Sequence, residues 1–189
     1  MLDFFISTIL SNNIALTLIL GMCPLIAIST NVKNARGMGI AVVLVVTLTA
    51  VINYPIYQLL VITGTTDLSL LAFIITIAAV VQVLEILLEK YIPSLYSAFG
   101  VYLPLITVNC VVLAVSQFFV TRDYNYAETT VFAFGSSVGW LLAIVLVASI
   151  REKLTVYGDL PKGLRGRAIV FVILGILALA FSGFAGLSL

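Results

Sequence analysis

Leu103-Pro104-Leu105-Ile106-Thr107-Val108-Asn109-Cys110 sets a cysteine beside two helix-weakening residues in the middle of an apolar run, and Leu20-Gly21-Met22-Cys23-Pro24 repeats the pattern near the N-terminus. Proline removes a backbone donor and clashes with the preceding turn, glycine lowers helix propensity, and an asparagine side chain competes for backbone hydrogen bonds. At bilayer depth such interruptions survive only where protein or a cavity satisfies the backbone, so two of them point to a buried site rather than a lipid-facing surface. Cys23 and Cys110 are the only two cysteines of the chain.

The surrounding sequence supports membrane depth. Of 189 residues, 62% are hydrophobic and 9% charged, the composition of a polytopic all-α membrane protein. The N-terminal apolar run lacks a basic flank and a small-residue cleavage site, so it reads as a retained first span. A net charge of +1 without a basic patch argues against nucleic acid. Histidine is absent, which excludes imidazole-ligated haem and a histidine proton relay from this chain. Two cysteines inside membrane segments are not a disulfide framework; they are inert small hydrophobes or metal ligands.

A span needs about 20 apolar residues, and the sequence supplies six, near 4–30, 38–62, 69–89, 96–120, 128–150 and 168–187. They form one transmembrane domain, 1–189, whose halves (about 1–90 and 95–189) each hold three spans and begin with a cysteine-bearing, broken one. Because three is odd, the halves are inserted upside down relative to each other, the arrangement that brings discontinuous helices 1 and 4 to the midplane. Straight helices would leave the two thiols some ~20 Å apart in depth, which broken ones can close. Lys33, Arg36, Lys90, Arg151, Lys153, Lys162, Arg165 and Arg167 fall on one side and Arg122 alone on the other, so the eight-residue side is cytoplasmic and both termini face outward.

Two thiolates do not complete a metal site, because an iron–sulfur cluster usually takes four. A pseudo-symmetric partner of opposite insertion could supply the other two for a [2Fe–2S] centre. Glu85 is the most intramembrane carboxylate, either a cation contact on an ion path or a residue reaching the interface one turn from Glu89 and Lys90. Asn12, Asn13, Asn53 and Gln82 line a polar path or hydrogen-bond across helices. Gly135-Ser136-Ser137-Val138-Gly139 reads as a close-packing face, and Arg151-Glu152-Lys153 as charges that anchor an inner loop or dock a cytoplasmic partner.

These stretches, with Arg122-Asp123-Tyr124, Gly135 to Trp140, Ile150-Arg151-Glu152-Lys153 and Pro161-Lys162-Gly163-Leu164-Arg165-Gly166, closely resemble a known family. The chain looks like the small six-span E component of the sodium-pumping NADH:quinone oxidoreductase (Nqr), or its counterpart, the A component of the Rnf ferredoxin:NAD oxidoreductase. Pro24 is more like Rnf, while Arg122 through Trp140 and the Gly-Leu-Arg-Gly loop are more like Nqr. The resemblance implies that Cys23 and Cys110 hold half of an intramembrane [2Fe–2S] cluster. It also implies that the other half comes from a homologous inverted component, D in Nqr or E in Rnf, within a six-membered complex of the bacterial inner membrane, its termini periplasmic. Thr107 and Asn109 then either tune the cluster or cap the broken helix. The implied task is to relay electrons across the membrane, with no complete active site in this chain and FAD, FMN and quinone held by other members of the complex. In Nqr that relay drives sodium export. Two other classes compete: a small cation transporter centred on Glu85 with incidental cysteines, and an assembly scaffold.

Overall fold

The computed structural model describes residues 5, 8, 9, 14–91, 103–157 and 167–185. Asn12, Asn13, Lys162 and Arg165, the beginnings of the first and fourth expected spans and both termini lie outside the described residues. The described secondary structure is helical, with no strand among those residues. In chain order the helices are α1 (Ile14–Thr17), α2 (Met22–Ile28), α3 (Val32–Thr63), a 3-10 turn (Thr66–Leu68), α4 (Ser69–Tyr91), α5 (Leu103–Thr107), α6 (Cys110–Thr121), α7 (Tyr126–Tyr157) and α8 (Ala168–Ala185).

Val, Ile and Thr recur throughout these segments and are indifferent helix formers in water. In lipid an unpaired backbone group is costly, so intrasegment bonding prevails over side-chain preference. Among the described residues three helices are long and apolar enough to cross a membrane, Val32–Thr63, Thr66–Tyr91 and Tyr126–Val156. They match the second, third and fifth expected spans. The shorter α8 lies within the sixth expected span, and the helix breaks lie within the described parts of the first and fourth. The outward faces carry Ile40, Leu44, Leu48, Leu71, Ile74, Ile75 and Ile176 exposed, as lipid-facing surface requires.

The chain divides into two compact units. Unit 1 (Met1–Val43 and Gly135–Leu189) holds α1, α2, the start of α3, most of α7 and α8; within it α8 packs against α1. One buried stripe of α7 supplies Trp140, Ile144, Val147 and Ala148, and Met38, Val42, Leu16, Leu25 and Ile28 complete that core. Gly39 on α3 is a close approach: a Cβ there would lie 2.9 Å from Cγ of Leu141. Gly39→Val is therefore expected to destabilise the protein by about 1–3 kcal/mol through overpacking, read as a lower Tm in detergent, with partial recovery in Gly39→Val/Leu141→Ala. Gly135 belongs to the expected small-residue face, and a Cβ there would stand 3.3 Å from Phe5 and Thr8.

Unit 2 (Leu44–Phe134) holds the rest of α3, the 3-10 turn, α4, α5, α6 and the start of α7; within it α4 packs against both α5 and α6. Its core is aromatic. Phe119 stands 5.6 Å from Phe73 and 6.0 Å from both Tyr54 and Tyr57, centroid to centroid. Asn53, fully buried, donates from Nδ2 to Ser116 Oγ at 2.8 Å, and Ser116 donates onward to the Val112 carbonyl at 3.2 Å. Of the two roles open to Asn53, the hydrogen bond across helices is present. Each unit thus combines a broken helix from one half of the sequence with the last helix of the other half, so the units do not coincide with residues 1–90 and 95–189.

Two thiols at two helix breaks

The chain between α1 and α2 runs through Leu18–Gly21. Gly21 caps α2 with φ 79°, ψ 29°, a left-handed conformation that glycine alone adopts without strain. Ile19 has φ 53°, an outlier for a β-branched residue and the kind of backbone strain that gathers at functional sites. Pro24 is the third residue of α2, where the missing N–H would have lacked an intrahelical partner anyway. The break is therefore made by the left-handed backbone at Ile19 and Gly21, not by the proline.

The second break has the same form with a different cap. α5 ends at Thr107, and Asn109 caps α6 in extended conformation, its side-chain oxygen accepting from Val111 N at 3.2 Å. Pro104 lies within α5, the second of its described residues. Pro55 lies inside the long helix α3. Asn109 is buried, and its Nδ2 has no hydrogen-bond partner among the described residues. Asn109→Ala is expected to lower stability by about 1 kcal/mol, from the lost cap, measurable as a smaller Tm shift than Gly39→Val gives.

Each break delivers a cysteine into the first turn of the helix that follows: Cys23 is the second residue of α2 in unit 1, and Cys110 the first of α6 in unit 2. Both are thiols, not a disulfide; Cys23 is exposed and Cys110 half-exposed. Cysteine is among the most buried residue types when it merely packs. Cys23 is thus not a packed core residue of this chain. Among the described residues no group of three or more His, Cys, Asp or Glu side chains is assembled that could hold a metal. Both candidates are soft sulfurs, anionic once deprotonated, the donor type that thiophilic metals accept.

The remaining candidates are spread out. Glu85 is half-buried on α4, with Gln82, Glu89 and Lys90 exposed on the same helix. Thr107 closes α5, half-buried. Arg122, after α6, lies over the rings of Phe118 and Phe132 at 5.2 and 5.8 Å and donates to the Tyr124 hydroxyl at 3.1 Å. The largest departure concerns Arg151 and Glu152. Sequence alone reads them as loop anchors, but Arg151 is only 9% exposed and donates to the Ile26 carbonyl at 3.2 Å and to Ser29 Oγ at 3.0 Å. Glu152 accepts from the Val32 N–H at 3.2 Å. The signal that could have found them is periodic: Trp140, Ile144 and Val147 recur every three or four residues, and Arg151 continues their stripe.

Known proteins are similar to this sequence from end to end. Residues 1–188 match the family described as Rnf-Nqr subunit, membrane protein. Three curated relatives carry the name of the E component of Na(+)-translocating NADH-quinone reductase. They come from Marinobacter nauticus (47% identical over 199 residues), Maridesulfovibrio salexigens (44% over 200) and Pseudomonas aeruginosa (49% over 199). Each match covers 100% of this chain and 98% of the relative. With two interrupted helices, a cysteine at each and a family match over almost every residue, the chain belongs to the Rnf-Nqr family of membrane proteins.

Proposed function

We propose that this chain is the E component of a sodium-translocating NADH:quinone oxidoreductase in a bacterial inner membrane. In this reading Cys23 and Cys110 supply two of the four ligands of a [2Fe–2S] cluster, and a homologous protein of opposite insertion, of the Nqr D type, supplies the others. The observation that carries it is the exposure of Cys23, with Cys110 half-exposed, each directly after a helix break. Relatives bearing the Nqr E name at 44–49% identity favour Nqr over Rnf.

The reciprocal build of the two units supports an inverted repeat. The third expected span packs on the second half's broken helix, and the sixth on the first half's. The lopsided loop charge supports periplasmic termini. When bound, the cluster supplies a one-electron relay inside the bilayer. The chain's own residues contribute soft anionic ligands at Cys23 and Cys110, a fixed start of α6 through Asn109, and an apolar surround that excludes water and tunes the potential.

Iron analysis and electron paramagnetic resonance on the purified, dithionite-reduced complex test the reading. Cys110→Ser is expected to lose the cluster's iron and its signal while the complex stays assembled. Full retention of both in an assembled complex would defeat it and return weight to a transporter with incidental cysteines.

A further inference from the structure

α2 has seven residues, well below the length at which a helix holds itself together, so the placement of Cys23 depends on what grips its ends. Its N-terminal side is a left-handed glycine without a side-chain cap. Its last carbonyls have no intrahelical donors, and these are what the end of α7 reaches. The Arg151 guanidinium donates to the Ile26 carbonyl, within the last turn of α2, and to Ser29 Oγ, the residue that caps it. The next residue, Glu152, takes the first N–H of α3 at Val32. Two adjacent side chains of opposite charge thus close the turn Ser29–Asn31 from both sides, a cation on a helix C-terminus and an anion on a helix N-terminus, each the favourable sense. Arg151 makes this contact in a buried position, where a guanidinium is tolerated only when hydrogen-bonded.

We propose that Arg151, assisted by Glu152, is the positioning residue for the Cys23 thiol: it fixes the two-turn helix that presents the sulfur, without touching the sulfur itself. Cys23 lies three residues from Ile26, about 4.5 Å along the axis, with no loop between grip and thiol to absorb a displacement. The consequence for a cluster rests on the proposed role of Cys23 as a ligand; the mechanical claim does not.

The experiment uses the purified complex, before and after iron removal. In the iron-stripped complex, mass spectrometry follows alkylation of Cys23 and Cys110 by N-ethylmaleimide. Arg151→Gln is expected to change the Cys23 rate several-fold and leave the Cys110 rate at the wild-type value, with Arg151→Lys restoring most of the difference. In the iron-loaded complex the same variant is expected to shift the resonance line shape and to speed iron loss to a chelator several-fold, again rescued by lysine. Ser29→Ala and Glu152→Ala remove one contact each and are expected to act in the same sense more weakly; they carry the test if Arg151→Gln fails to assemble. Cys23 reactivity unchanged across the series, or Cys23 and Cys110 rates moving together, would overturn the proposal. A wild-type complex without a cluster would sink the ligand role while leaving the alkylation result to decide the positioning claim.

Discussion

Replacing Cys23 with serine is expected to cut NADH-driven quinone reduction by the assembled complex by more than about 100-fold, beyond the 10–100-fold that loss of an outer partner of a metal ligand typically costs. Reduction of a soluble dye by NADH, which needs no electron to cross the bilayer, is expected to continue. Serine is the right replacement because it keeps the size of the side chain and exchanges a soft sulfur for a hard oxygen. Cys23 is exposed, so no core cavity opens, and a fall in turnover reports the ligand rather than the fold. An assembly scaffold predicts the opposite pattern, with turnover preserved as long as the complex holds together. A rate within a few-fold of wild type would remove Cys23 from the electron path.

The second large effect concerns what holds α6, and with it Cys110. Phe119 is 1% exposed and stands among Phe73, Tyr54 and Tyr57, with centroids at 5.6–6.0 Å. It is therefore the ring that ties α6 to both α3 and α4. Phe119→Ala is expected to cost about 3–5 kcal/mol, the transfer and cavity terms for a fully buried aromatic. Phe119→Leu, which keeps more of the volume, is expected to lose clearly less. Thermal unfolding of the detergent-solubilised complex, followed by protease sensitivity of the segment after Thr121, checks both. A Tm for the alanine variant equal to that of wild type would contradict the packing of unit 2.

Much of this architecture was legible in the sequence because its strongest signals are local. Long apolar runs specify helices in lipid almost regardless of residue type, so α4 and α8 start where the sequence places them. Gly21 and Asn109 advertise interruptions through conformations and caps that few other residues supply. A proline's effect depends on its position within a helix: Pro24 sits in a first turn, while Pro55 is accommodated inside α3. The strain at Ile19 has no sequence signature, since its side chain opposes the conformation it adopts.

What the sequence did not disclose is long-range. The Asn53–Ser116 bond joins residues 63 apart, and Arg151 meets Ile26 and Ser29 across 125 and 122. Local periodicity shows which face of a helix is buried, not what lies opposite. That is why Arg151 reads as a loop charge until its stripe on α7 is traced, and why the packing of each half's last helix on the other half's broken one emerges only from the structure.

Whether one cluster joins the two thiols can be decided by anomalous diffraction at the iron edge, collected on crystals of the assembled complex. The expected result is iron density within bonding distance of the sulfur atoms of both Cys23 and Cys110, completed by two thiolates from a neighbouring protein of the complex. Iron bonded to neither sulfur, or to only one of them, would contradict the shared-cluster reading.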